Sequence, residues 1–274
     1  MPKLSVITIN YNDAKGLKET ILSVVEQTRK DFEFVVIDGG STDGSVDVIN
    51  EYKDLISIWT SEKDKGIYDA QNKGIQKASG EYVLFLNSGD TFYSNQVVDK
   101  FYNFLQENDS AMIYGNTNLV NGNKNELLVQ PGKLPMEFWY MGTLNHQAVF
   151  MKRDLFERFG LYDLKYRICA DFDLFLRAYV KDPGMFAHIN ETICNYDQTG
   201  FSASKENFNK MLAEREQILL ANLSPEVYTK IKKAYNASLP LKRQVINYMI
   251  ERPLLNSAFK RVYKLYAGLK GNDE

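Results

Sequence analysis

The feature that most constrains this chain is the alternation of short β-rich runs with helical stretches through its first 115 residues. Leu4 to Ile9 reads as a buried strand, followed by Phe32 to Ile37, Ile56 to Trp59, Tyr82 to Leu86 and Met112 to Tyr114. Between them, Leu17, Ile21, Val24, Val25 and Thr28 recur at helical spacing behind Asn12-Asp13, which suits a helix start. Val46, Ile49 and Tyr52 mark a second helix, Ile67 to Ala78 a third, and Asn95 to Gln106 a fourth. Strand–helix repeats of this kind build right-handed βαβ units on a parallel sheet. Such sheets bind ligands beyond the carboxyl ends of their strands. Polar clusters fall at those ends: Thr8-Ile9-Asn10-Tyr11-Asn12, Asp38-Gly39-Gly40-Ser41 and Asn87-Ser88-Gly89-Asp90.

From residue 116 the pattern changes. Asn121-Gly122-Asn123 predicts a hairpin turn, Gln147 to Met151 a strand, and Ala170 to Val180 a helix with Phe172, Leu176 and Tyr179 on one side. After about Asn207 the chain reads as helical, broken at Pro225, Pro240 and Pro253. A length of 274 residues suits one large α/β domain with an appendage. We therefore expect one domain over 1–205 and a helical extension over 206–274.

Composition narrows the function classes. Hydrophobic residues make up 44% and charged residues 25%, which fits a soluble globular protein. A net charge of −2 argues against a nucleic-acid binder. Cys169 and Cys194 form no CxxC spacing and are too few for a disulfide framework, so two free thiols in a reducing compartment are expected. No leader pattern follows Met1, and no run approaches 18 apolar residues, which points to a cytoplasmic protein.

Five motifs in order then carry a resemblance. They are Ser5-Val6-Ile7-Thr8-Ile9-Asn10-Tyr11-Asn12; Ser23-Val24-Val25-Glu26-Gln27-Thr28; Asp31 through Gly44 with its Asp38-Gly39-Gly40-Ser41-Thr42-Asp43; Asp64-Lys65-Gly66-Ile67-Tyr68-Asp69-Ala70-Gln71-Asn72-Lys73-Gly74; and Ala78-Ser79-Gly80-Glu81-Tyr82 running to Asn87. Together they resemble the family-2 glycosyltransferases over roughly residues 3 to 200. The resemblance implies the nucleotide-diphospho-sugar transferase (GT-A) fold. It also implies inverting transfer from a nucleotide-sugar donor, a UDP-sugar, to a saccharide or lipid-linked acceptor in bacterial surface-polysaccharide assembly.

Carried onto these residues, the resemblance places Thr8 and Tyr11 in the base pocket, with Tyr11 against the nucleobase. Asp38 would accept hydrogen bonds from base or ribose; its alternative is a turn residue before Gly39-Gly40. Family members often carry Asp where this chain has Gly39. At the end of the fourth strand the family pattern is Asp-x-Asp, and Asn87 and Gly89 hold those two positions here. Asp90 is then the carboxylate left to hold Mn²⁺ or Mg²⁺, with Asn87 offering an amide oxygen; its alternative is a helix cap. Asp171, in Ala170-Asp171-Phe172-Asp173, maps to the catalytic base; its alternative is a helix-start acid favoured by the macrodipole. His146, in a His-Gln pair, maps near the donor sugar or acceptor, and a structural histidine is the alternative. Asp64 faces the donor or belongs to the surface before the third helix. Tyr196 to Ser204 resembles a segment that closes over the diphosphate.

Between Lys230 and Glu274, ten basic residues face three acidic ones, with apolar residues interleaved. Two readings stay open: basic amphipathic helices on an anionic membrane surface, or a helical cap with its lysines in water. Two rival functions are a nucleotidyltransferase, which needs a basic Gly-rich N-terminal loop that is missing here, and a non-catalytic sugar-nucleotide binder. No GxGxxG follows the first strand, so a dinucleotide oxidoreductase is not expected.

Overall fold

The computed structural model describes residues 1–198 and 205–239. The described residues fall into two compact units, Met1–Pro135 with those of Gly142–Leu223, and Met136–Met141 with those from Ser224 onward. The sequence reading places residues 206–222 in the extension, whereas the first unit includes them.

The first unit opens with β1 (Leu4–Asn10), α1 (Ala14–Val25), β2 (Glu33–Asp38), α2 (Ser45–Tyr52), β3 (Ile58–Ser61), α3 (Ile67–Lys77) and β4 (Tyr82–Phe85). β1 is buried along its whole length because both faces are covered, as its unbroken apolar run requires. One face carries Leu4 and Val6, which cluster with Leu17, Ile21 and Val24 of α1. On the other, Ile7 meets α3 at Gly74, where a Cβ would fall 2.4 Å from the Ile7 side chain. α1 starts as its residues predict: the Asp13 carboxylate accepts from Gly16 N at 3.0 Å. It stops at Val25, short of Thr28, whose N–H turns to the Asn95 carbonyl instead. β3 begins two residues later than expected because Lys53–Leu55 forms a 3₁₀ turn.

After β5 (Thr91–Phe92) and α4 (Val97–Phe104), the hairpin β6 (Met112–Asn121) and β7 (Lys124–Leu128) turns at Asn121-Gly122-Asn123 as predicted. Gly122 takes φ +57° there. Next come α5 (Phe138–Met141), β8 (Val149–Lys152), α6 (Leu155–Phe159), α7 (Ala170–Lys181), β9 (Phe186–Asp197), α8 (Lys205–Asn222) and α9 (Pro225–Ser238). The sheet runs β3-β2-β1-β4-β8-β6-β9-β5, with β7 paired to β6. β3, β2, β1 and β4 are mutually parallel, and β8 enters antiparallel between β4 and β6. The result is a mixed α/β sheet whose parallel half ends in the loops that carry the polar clusters.

In the second unit α5 packs against α9, with the Tyr140 ring 5.1 Å from Tyr235 and 6.1 Å from Tyr228. Ser224 caps α9 through Val227 N. The basic stretch 240–274, which carries most of the membrane-surface reading, lies outside the described residues, as do 199–204 of the expected closing segment. Tyr196 and Asp197 end β9 and are not loop residues. Among the described residues no helix is long and apolar enough to cross a membrane. Cys169 and Cys194 are free and buried, as expected.

Candidate active site

At the end of β2, Asp38 is fully buried. Its Oδ1 accepts from Asn10 Nδ2 at 2.8 Å and Ser41 Oγ at 2.5 Å; its Oδ2 accepts from Gly40 N, Ser41 N and Ser61 Oγ at 3.1, 2.9 and 2.6 Å. Burial works against its charge, but the bonds from Ser41, Ser61 and Asn10 outweigh it and hold the carboxyl below its ordinary value. These five bonds make Asp38 the hub of the 39–41 turn, the alternative its Asp-Gly-Gly setting offers beside a contact with base or ribose.

Strand alternation puts Thr8 on the same face as Leu4 and Val6, and it is fully buried there. Tyr11, one residue past β1, is 65% exposed and presents a free ring face at the strand ends. Asp64 joins it. The Asp64 Oδ1 accepts from Gly66 N at 2.8 Å, while Oδ2 lies over Gly39. A Cβ at position 39 would sit 2.4 Å from Asp64 Oδ2 and 3.2 Å from the Tyr11 ring. The departure from the family pattern at Gly39 thus has a steric reason: the space a side chain would fill is held by Asp64 and Tyr11.

The second group forms around Asp171, in the first turn of α7. Its Oδ2 lies 3.0 Å from His146 Nδ1, and its Oδ1 accepts from Tyr68 OH at 2.9 Å and Phe172 N at 2.8 Å. Both side chains of the His146–Asp171 pair are mostly buried, 13% and 15% exposed, so a narrow opening to solvent remains. His146 Nε2 lies 3.2 Å from Asn87 Nδ2 and 3.4 Å from Gln71 Nε2, two N–H donors. Those contacts assign Nε2 as acceptor and put the proton on Nδ1, where it donates to Asp171. Burial raises the Asp171 carboxyl, but His146, Tyr68 and the Phe172 N–H together bring it below its ordinary value. Burial and the facing carboxylate push Tyr68 far up, so it serves as a donor.

Three residues named from sequence, Asn87, His146 and Asp171, are thus brought together. Asn87 Oδ1 accepts from Gln71 Nε2 at 3.3 Å. Tyr68 and Gln71 were missed. A signal for them existed, because Tyr68, Gln71 and Asn72 are polar residues at helical spacing that α3 buries along with Ile75.

Asp90 is 3% exposed, with Oδ1 accepting from Asp197 N and Oδ2 from Gln147 Nε2, both at 3.0 Å. It is not a helix cap, since α4 begins at Val97. Burial, first, and the nearby Asp197 charge push its carboxyl up to about 7, against the Gln147 and Asp197 N–H bonds. The turn before it is strapped to α1 by Thr20, whose hydroxyl accepts from Gly89 N and donates to the Asp90 carbonyl. The His-Gln pair therefore addresses both acids: His146 holds Asp171 and Gln147 holds Asp90.

Gly89, where the family acid is missing, marks the candidate place for a divalent cation. A side chain starting at Gly89 would lie 3.5 Å from Asp197 Oδ2 and 3.8 Å from Asp13 Oδ2, so carboxylates crowd that point. Among the described residues no group of three His, Cys, Asp or Glu could enclose an ion. The residues fit a cation held by one or two carboxylates and by the donor's phosphates, the usual arrangement for Mg²⁺. They do not fit a protein-only cage.

A sheet whose parallel half ends in acid-lined loops, with an exposed aromatic ring on one side and an oriented carboxylate on the other, is the GT-A nucleotide-sugar transferase class. The comparisons narrow it. The family model "Glycosyl transferase family 2" matches residues 5–161, more than half of the chain, and the chain belongs to that family. It is 30% identical over 204 residues to a Mycobacterium bovis PGL/p-HBAD biosynthesis glycosyltransferase, covering 73% of this chain and 78% of the relative. It is 35% identical over 212 residues to a Mycobacterium tuberculosis glycosyltransferase, covering 75% and 79%. In fold it is similar to Staphylococcus aureus TarS 1-349 in complex with UDP, with TM-score 0.62 and 20% identity over 88% of this chain and 77% of that one. It is also similar to the Pyrobaculum calidifontis mannosyltransferase PcManGT in complex with GDP-Man and Mn²⁺, with TM-score 0.55 and 19% identity over 98% and 83%. The family and the relatives' names support a glycosyltransferase and do not favour the nucleotidyltransferase and binding-protein readings.

Proposed function

We propose that this chain transfers a sugar from a UDP-sugar to a hydroxyl of a saccharide or lipid-linked acceptor, with inversion and with Asp171 as the base. The observation that carries this reading is the Asp171 carboxylate, kept charged and fixed in direction by His146 and Tyr68 while its Oδ2 retains a second lone pair. Tyr11 stacks on the nucleobase, and Asp64 Oδ2 accepts a hydrogen bond beside it. Asp38 acts through the turn it folds. Asp90 and Asp197 would hold a divalent cation together with the donor diphosphate. When bound, Mn²⁺ or Mg²⁺ neutralises the leaving diphosphate as a Lewis acid.

In the displacement, Asp171 takes the acceptor hydroxyl proton as the acceptor oxygen bonds to the anomeric carbon. The bond from that carbon to the diphosphate oxygen breaks, and the electron pair leaves with UDP. The complexes of TarS with UDP-GlcNAc and of PcManGT with GDP-Man support a nucleotide-sugar donor, and the name of the Mycobacterium bovis relative, a PGL/p-HBAD biosynthesis glycosyltransferase, supports glycosyl transfer.

The test is titration of purified protein with UDP, UDP-N-acetylglucosamine, UDP-glucose and GDP-mannose, in Mn²⁺, in Mg²⁺ and in chelator. Metal-dependent binding of a UDP compound is expected. Tyr11→Ala should weaken it by about 1–3 kcal/mol, the usual worth of one base stacked on an aromatic ring. Equal affinity with and without chelator would remove the cation role of Asp90, and equal affinity in Tyr11→Ala would move the base elsewhere.

A further inference from the structure

The residues that orient Asp171 from behind come from α8, a helix that the reaction itself does not call on. Glu214 aims its carboxylate at the stretch of backbone that leads into α7. Its Oε1 accepts from Arg167 N at 2.9 Å, and its Oε2 accepts from Ile168 N at 2.9 Å and Cys169 N at 3.0 Å. Three successive N–H groups converging on one anion form a nest, and charge-assisted bonds of this kind are stronger than neutral ones. Cys169 is the N-cap of α7, and Asp171 lies two residues on. The same stretch supplies the Ile168 carbonyl that accepts from Tyr68 OH at 2.7 Å, so it also places the Tyr68 hydroxyl that bonds Asp171.

The next residue grips a second segment. Arg215 is 5% exposed, and its guanidinium lies 3.9 Å from the centroid of the Phe172 ring, the residue after Asp171. Its Nη2 donates to the Gly142 carbonyl at 2.9 Å, at the start of the stretch that delivers His146. Adjacent residues of one helix therefore hold both chain segments that meet in the His146–Asp171 hydrogen bond. We propose that Glu214, with Arg215 beside it, is a positioning residue for catalysis: it fixes the start of α7 so that Asp171 faces the acceptor at the correct angle. This rests on the reading of Asp171 as the base.

A half-buried carboxylate that receives three backbone N–H groups has no equal replacement. Gln presents an NH₂ to part of the same nest, and Asp withdraws the anion by one methylene. Each change relaxes the approach to α7 without touching donor or cation. Misplacement of a reacting group by about 1 Å lowers rates by about 100-fold. The effect should therefore fall on kcat, with donor KM unchanged.

The test combines turnover with a spectroscopic readout. The chain has two histidines, His146 and His188, so the ring ¹⁵N signals of selectively labelled protein are simple to assign. His188 contacts Asn116 in β6 and serves as the internal control. Wild type, Glu214→Gln, Glu214→Asp and Asp171→Asn are compared, with folded fraction taken from UDP-binding stoichiometry. The expected result is that both Glu214 variants move the His146 signals toward those of Asp171→Asn and leave His188 in place. Turnover of UDP-N-acetylglucosamine, UDP-glucose or GDP-mannose per UDP-binding site should fall by about 10- to 100-fold with KM unchanged. Glu214→Gln should add no further loss in the Asp171→Asn background. His146 signals that do not move in either Glu214 variant would overturn the inference, whatever the turnover. Full turnover in Asp171→Asn would instead remove the base reading, a separate failure.

Discussion

Asp171→Asn is expected to lower sugar transfer by about 100- to 10,000-fold, the usual contribution of a positioned general base, with UDP affinity unchanged. The amide is nearly isosteric and can keep the Tyr68 bond through its oxygen, so the helix start should stay intact. What it loses is the charge that receives the acceptor proton. His146 would then face an NH₂ or a neutral oxygen where it now meets a carboxylate 3.0 Å away. Because the His146 tautomer is set from the other side by Asn87 and Gln71, the ring cannot simply turn to take over as base. Single-turnover assays with saturating donor would measure the loss. A variant within threefold of wild type would place the base on another residue.

The second large effect is on stability. Asp38→Ala removes the acceptor shared by Asn10, Gly40, Ser41 and Ser61 and leaves the buried Asn10 amide without it. Losing hydrogen bonds to a charged acceptor costs about 1.5–3 kcal/mol, a sizeable share of the stability of a typical domain. Urea midpoints would show it, and Asp38→Asn should fall between the two because it keeps part of the pattern. The pH dependence has a definite sign. The folded carboxyl lies below its ordinary value, so its contribution is fully present above the unfolded pKa of about 3.9. That contribution is lost as pH falls through the folded pKa. The gap between wild type and Asp38→Asn should therefore be constant at neutral pH and close in acid. A gap that widens in acid would mean that the buried carboxyl is not ionised. Loss of nucleotide binding should accompany the stability loss, since the 39–41 turn lies beside Tyr11 and Asp64.

Much of the fold was legible because the parallel half is built from locally written units. Each strand run is apolar, and each ends in residues that turns and anions favour. The misplacement of β3 has a local cause: Lys53–Leu55 closes a 3₁₀ turn that apolar periodicity does not report. Alternation reads Thr8 onto the face of Leu4 and Val6, where the structure buries it. Asp38 was legible as a turn former but not as the hub of five bonds, because Asn10 and Ser61 reach it from other strands.

The candidate site was half legible. Motif positions named Asn87, His146 and Asp171, but nothing in sequence spacing states that residues 87, 146 and 171 meet. Tyr68 lies 103 positions from its partner Asp171. The Glu214 contact is further still from legibility, because a helix that reads as part of an extension turns out to hold the start of α7. In both cases tertiary packing decides which polar residues become neighbours.

The most direct measurement is the anomeric form of the sugar first released when the enzyme hydrolyses an α-linked UDP-sugar, followed by proton NMR before mutarotation. A single displacement, with Asp171 activating the attacking water opposite the leaving diphosphate, predicts the β anomer first. It also predicts loss of that signal in Asp171→Asn. Release of the α anomer would contradict the account, since it requires retention and a different catalytic role for the carboxylate at the start of α7.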